Sequence, residues 1–313
     1  MRKSFLAALV ALIAALGAWS PVAAAQTSTA KVVIIVGADT PQYLDDAESL
    51  YAEAIKYTPN VVRVYSPNAT WSKVKAAVVG ASIVIYMGHG NGWPSPYTYD
   101  PNFATKDGFG LNATAAGTHG NLKYYGEPYI RTLDLAPHAL VYLFHLCYAS
   151  GNSEPGGSAP AMATARQRVD NYGSAFLAAG ASAVIADGHS HSGYYMQALF
   201  TNPESLLDLW HGALNYHGHD VVFVPSRSTG SGIMDPDNGG ASPSGYYRSF
   251  IGDPNVMTHT VIGLKLPPGV RGAPGVAVVP DREATAAAGS PTTPRRRGTP
   301  TPAVPRGTTV PLR

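Results

Sequence analysis

A single cysteine, Cys147, stands in a chain of 313 residues that carries ten histidines. One thiol excludes an intrachain disulfide and any multi-cysteine zinc or iron–sulfur site. Packing or nucleophilic chemistry remains. A thiol with a pKa near 8.5 is only a few per cent thiolate at neutral pH, and an adjacent imidazole can raise that fraction. The imidazole can afterwards protonate a leaving amine. His89, flanked by Gly88 and Gly90, is the candidate partner, because a histidine between two glycines packs little core. Backbone N–H groups of Gly90 and Cys147 are the candidate donors to an oxyanion, glycine permitting the close approach this needs. Such acyl-transfer chemistry calls for no cofactor and no metal. An activated Cys147 is expected to react with iodoacetamide faster than a free thiol near pH 6. The plainer alternative is that Cys147 fills a strand, since free cysteine is among the most buried residue types.

The flanking sequence supplies elements that can hold these two residues. Lys31 to Val36, Val61 to Tyr65, Ser82 to Met87, Ala139 to Leu146, Ser182 to Ala186 and Asp220 to Val224 read as strands. Several are continuous β-branched or apolar runs, the mark of burial on both faces. Thr40-Pro41 suits a helix N-cap and first turn, and apolar residues then recur at helical spacing from Tyr43 to Ile55. Helices are also expected from Thr70 to Val79, around Ala161 to Ala179, and near Glu204 to Tyr216. This alternation predicts an α/β fold, a mostly parallel six-stranded sheet with helices on both faces. Functional residues of such sheets gather at the carboxyl ends of the strands. His89 lies just past the third strand and Cys147 just past the fourth. If the two strands are neighbours, about 4.8 Å apart, the side chains can share one site. The polar, Gly/Tyr-rich stretch from Asn91 to about Pro137 is long enough to suggest a functional loop.

Two blocks carry a resemblance: Ile83-Val84-Ile85-Tyr86-Met87-Gly88-His89-Gly90 and Leu143-Phe144-His145-Leu146-Cys147. An apolar strand ending in His-Gly, followed later by an apolar strand ending in Cys, resembles the caspase-like superfamily of cysteine peptidases. Caspases, metacaspases, legumain, clostripain and gingipains belong to it. Phe250-Ile251-Gly252-Asp253-Pro254 looks like a late segment of gingipain-like domains. The resemblance implies a caspase-like sandwich, a Cys147/His89 dyad, an acyl-enzyme intermediate and a peptide or protein substrate. It covers residues 31–260 in element order, but only about twenty residues as motif. In metacaspases an Asp, and in caspases a Gln, stands two residues before the nucleophile and lines the substrate pocket; here that residue is His145. Strand alternation places His145 on the same side as Cys147, so it is a candidate pocket residue. Asp187, at the end of the fifth strand, either binds a basic substrate side chain or caps a turn.

Two other readings stay open. One is a catalytically inactive caspase-like binding domain at the cell surface. The other is a metal-dependent hydrolase built on the pairs His189/His191 and His217/His219, with Asp187 as a further ligand. No His-Glu-x-x-His helix supports the latter, and no Gly-x-Ser-x-Gly elbow follows a strand to support a serine hydrolase.

The formal charge of +2 conceals a division along the chain. Arg2 and Lys3 begin it, and beyond residue 265 seven arginines stand against Asp281 and Glu283. The intervening part is mildly acidic, so nucleic-acid binding by it is not expected. Residues 1–25 read as a secretory signal peptide, with a charged start, an apolar run from Phe5 to Gly17, and Ala23-Ala24-Ala25 before Gln26. That run is too short for a membrane span, and a secreted or wall-associated protein is expected. Residues 26–265 form the expected α/β domain. Residues 266–313 hold ten of the 26 prolines and the run Arg295-Arg296-Arg297. They read as a disordered tail, with contact to an acidic cell-wall polymer as the sharper alternative.

Overall fold

The β-branched runs that need burial on both faces lie at the centre of one sheet. The computed structural model describes residues 28–189 and 192–264. The expected signal peptide, the tail and His191 fall outside these residues. The strands are β1 (Val32–Val36), β2 (Val61–Tyr65), β3 (Ala81–Met87), β4 (Phe109–Asn112), β5 (Leu122–Tyr125), β6 (Leu135–Phe144), β7 (Ala181–Asp187), β8 (Val221–Phe223), β9 (Ser231–Met234) and β10 (Arg248–Gly252). The helices are α1 (Leu44–Ala54), α2 (Trp71–Ala77), α3 (Glu127–Ile130), α4 (Met162–Ala178), α5 (Ser192–Thr201), α6 (Leu206–His211) and α7 (Thr258–Val261).

Among the described residues, eight strands, not six, form the main sheet, in the order β2-β1-β3-β6-β7-β10-β9-β8. All six expected strands are present. The first five are mutually parallel, and β10, β9 and β8 continue the sheet in antiparallel fashion. The two unexpected strands lack an apolar signature: β9 reads Ser-Gly-Ile-Met, and β10 carries Arg248 and Ser249 within five residues. The long stretch after β3 contains its own two-stranded hairpin, β4 with β5, and the short α3.

Side chains alternate across the pleat and divide the core into two layers. Val33, Ile35, Val84, Tyr86, Val141 and Leu143 face Val169, Tyr172 and Phe176 of α4. Val32, Ile34, Ile83, Ile85, Tyr142 and Phe144 face Leu50 of α1, Met196 and Leu199 of α5, and Trp210 of α6. The expected helices on both faces are therefore observed. Thr40 does not cap α1; its hydroxyl donates to the Gly37 carbonyl at 3.0 Å, and Pro41–Tyr43 forms a 3-10 turn that leads into the helix. Among the described residues, no helix is long and apolar enough to cross a membrane.

Candidate active site

Strands β3 and β6 pair in parallel, with Met87 in register with Phe144. His89 thus emerges two residues beyond one strand, and Cys147 three beyond its neighbour. Gly90 lets the two exits approach. A Cβ placed on it would collide with the carbonyl oxygen of Cys147 and come within 2.6 Å of the Tyr172 hydroxyl. Any other residue there would push the His-Gly turn away from the cysteine.

The fourth strand was expected to run through Leu146, but it ends at Phe144. His145 adopts φ +59° and Tyr148 φ +72°, left-handed conformations that cost a non-glycine residue roughly 1–2 kcal/mol each. The N–H of His145 donates to the Asp187 carbonyl at 2.9 Å, which holds the turn in place. Strand alternation therefore does not reach Cys147. Cys147 packs against the core layer under α4, whereas His145 stacks on Tyr43 of the opposite layer, with ring centroids 4.9 Å apart. The expectation that the two share one side is corrected by that turn. Burial lowers the pKa of His145, partly offset by Asp187 and Asp46 and by the Gly188 carbonyl.

Tyr86 supports His89 from below. Its buried hydroxyl accepts from the Gly110 N–H at 2.9 Å and lies 2.9 Å from the Gly110 carbonyl and 3.1 Å from the His89 carbonyl. It thereby ties the His-Gly turn to β4. Tyr86→Phe should lower the unfolding free energy by about 1–3 kcal/mol, because it strands a buried N–H. Denaturant titration at constant slope would measure that loss.

The His89 imidazole is 38% exposed, and its Nε2 lies 4.0 Å from an Asp39 carboxylate oxygen. That separation is too long for a hydrogen bond. Cys147 is half-buried. Burial pushes its thiol up, the carboxylate of Glu154 pushes it further, and the N–H groups of Cys147 and Gly90 pull it back. The direction of the shift differs from the expectation of a thiol activated at rest. Iodoacetamide should modify Cys147 more slowly than a free thiol at pH 6–8, with a rate still rising at pH 9. A plateau below pH 8 would show a resting thiolate instead.

Asp187, a candidate either to bind a basic substrate side chain or to cap a turn, is only 2% exposed. Its carboxylate accepts from the His189 N–H at 2.8 Å and from the Asn215 amide at 2.9 and 3.1 Å, with Arg248 Nε at 3.6 Å. It caps the turn after β7 and has no face left for a substrate cation. Arg248, fully buried, donates to Asp235 and to the Trp210 carbonyl, each at 2.6 Å. Asp235 in turn accepts from the N–H groups of His217 and His219. This ionic network fastens β10 to β7 behind the turn that carries Cys147.

The described histidines of the two His-x-His pairs are already engaged. His189 Nε2 lies 3.1 Å from Asp237, and His219 Nδ1 lies 2.9 Å from the Pro236 carbonyl. Among the described residues, no group of three or more His, Cys, Asp or Glu side chains is arranged to hold a metal ion.

Glu154, absent from the sequence reading, is the residue of this site that only the fold reveals. Both Tyr97 and Tyr148 donate hydroxyls to its carboxylate, at 2.9–3.0 Å. The available signal was a lone carboxylate in the Gly151–Gly157 loop, seven residues beyond the cysteine.

No family model matches the chain, and no curated protein matches it. Among solved structures it is similar to a secreted C11 cysteine protease from Bacteroides thetaiotaomicron, solved in complex with an irreversible peptide inhibitor. The identity is 12% and the TM-score 0.34, over 66% of each chain. A likeness of that size leaves the chemistry to be read from the site itself.

Proposed function

We propose that this chain is an exported cysteine endopeptidase with Cys147 as nucleophile and His89 as proton carrier. One observation carries the reading: a half-exposed imidazole and the only thiol leave neighbouring parallel strands, brought close at Gly90, where a Cβ would strike the Cys147 carbonyl. The resemblance of the two strand-end blocks to caspase-like peptidases supports it, and the signal-like pattern of residues 1–25 supports export.

In this mechanism the sulfur attacks the scissile carbonyl carbon as His89 takes the thiol proton. The developing oxyanion faces the N–H groups of Gly90 and Cys147. Collapse breaks the C–N bond, and the leaving amine receives the proton from His89. Water then attacks the thioester, giving its proton back through His89, and the carboxylate product departs with the thiol restored. Because the resting thiol is held protonated, proton transfer and attack belong to the same step.

A peptidyl chloromethyl ketone tests the assignment. Intact-protein mass spectrometry should find one adduct on Cys147, formed faster than with chloroacetone, which carries the same electrophile without the peptide. Equal rates for the two reagents would leave no substrate site around the thiol and would favour the inactive binding domain.

A further inference from the structure

Tyr172 of α4 is buried in the core layer beneath the two strand exits. Its hydroxyl reaches the place where the His-Gly turn passes the cysteine. A Cβ on Gly90 would strike the Cys147 carbonyl oxygen, 2.6 Å from the Tyr172 hydroxyl and 3.1 Å from the Cys147 nitrogen. A Cβ on Gly92 would come within 2.9 Å of the Tyr172 ring. Gly90 and Gly92 thus lay the chain after β3 directly against this side chain.

Among the described residues, the Tyr172 hydroxyl has no hydrogen-bond partner. Burial holds its pKa well above the ordinary phenol value, the charges of Asp107, Tyr86 and Cys147 push it further, and the Asn91 N–H offsets this only weakly. The group therefore stays an O–H donor through the neutral range. A buried hydroxyl without an acceptor costs stability, and phenylalanine would fill the same space without that cost. The loop does not need it either. The Asn171 amide of α4 donates to the Trp93 carbonyl at 2.7 Å, and Asp107 accepts from the Trp93 N–H at 3.1 Å. The Asp107 N–H donates to the Asn91 carbonyl at 3.0 Å. Packing accounts for the ring of Tyr172 and leaves its oxygen without a structural task.

We infer that Tyr172 is a positioning residue of the proposed reaction, its hydroxyl donating to the Cys147 carbonyl as the acyl-enzyme forms. The inference rests on the peptidase reading. Donor and acceptor crowd the same hydrogen of Gly90, so a small shift of the cysteine turn closes the bond. A carbonyl pinned on one side of the Cys147 Cα keeps the N–H on its other side aimed at the oxyanion. No proton leaves the phenol. Because the bond is absent at rest and made in the reacting state, its free energy lowers the barrier and does not tighten substrate binding.

Tyr172→Phe tests this, since it removes one oxygen and keeps the ring. With fluorescein-labelled casein as substrate, kcat and kcat/KM should fall together by about tenfold, with KM nearly unchanged. The unfolding midpoint in urea should stay the same or rise, because an unpaired buried hydroxyl has been removed. Iodoacetamide reacts by direct displacement and forms no oxyanion, so its rate at Cys147 should be equal in the two proteins.

Undiminished turnover in Tyr172→Phe would overturn the inference and leave the peptidase reading standing. A lower unfolding midpoint would also overturn it, by making the hydroxyl a tie of the resting fold. So would an alkylation rate that falls along with kcat, since the change would then act on the thiol itself. A wild-type chain that cleaves no casein would overturn the peptidase reading, and the inference with it.

Discussion

Cys147→Ala should abolish peptide hydrolysis while the unfolding midpoint stays near that of the wild type. The side chain removed is half-buried and small, so little packing is lost. The reaction, by contrast, loses the atom that forms the covalent intermediate. Where residues act as a unit, deleting one removes nearly the whole advantage, and kcat/KM should fall by at least about 10⁴-fold. His89→Ala should lower acylation by about two orders of magnitude or more, because base and acid are lost together. The structure sharpens this expectation. A thiol raised by burial and by Glu154 carries little thiolate of its own, so the deficit of His89→Ala should shrink as pH rises and hydroxide replaces the missing base. Peptide cleavage measured from pH 6 to 9 with both variants would check it. Full activity in Cys147→Ala would place the nucleophile elsewhere. An inert wild-type chain would favour a binding domain.

Arg248→Leu should be the most destabilising single change in the described core. It removes the cation from a network in which Asp235 and Asp187 are also buried. Removing one partner of a buried pair costs about 3–5 kcal/mol, because the remaining charges stay desolvated and uncompensated. The guanidinium also faces Trp210 at 4.7 Å and donates to its carbonyl, contacts a leucine cannot replace. Urea unfolding at pH 7 would measure the loss, and acidification should recover part of it by neutralising a stranded carboxylate. A change below 1 kcal/mol would show that solvent reaches this network. Activity should fall with stability, since β10 and β7 anchor the turn through which Asp187 holds the N–H of His145.

Four of the six expected strands, β1, β3, β6 and β7, were legible because each is a run whose residue types demand burial on both faces, a property carried by neighbours in sequence; β2 and β8, at the sheet's edges, were legible from β-branched and aromatic residues alone. The candidate pair His89 and Cys147 was legible for a related reason. Strand ends are marked by glycine and by the stop of apolar residues, and α/β sheets gather function there. One thiol also left a single candidate nucleophile. What lay beyond reach depends on partners distant in the chain. Ser231–Met234 and Arg248–Gly252 are strands because β7 offers an edge for β10, and β10 offers one for β9, not because their own residues prefer extension. Asp187 could not be assigned between substrate and turn until Asn215 and Arg248 were seen against it. His145 was misplaced because a left-handed residue breaks the alternation that sequence reasoning extends by default. Glu154 gained meaning only when the hydroxyl of Tyr97, 57 residues earlier, was seen to donate to it. Short-range pattern specifies which segments form elements and where they stop. Long-range register decides which charges are buried and paired.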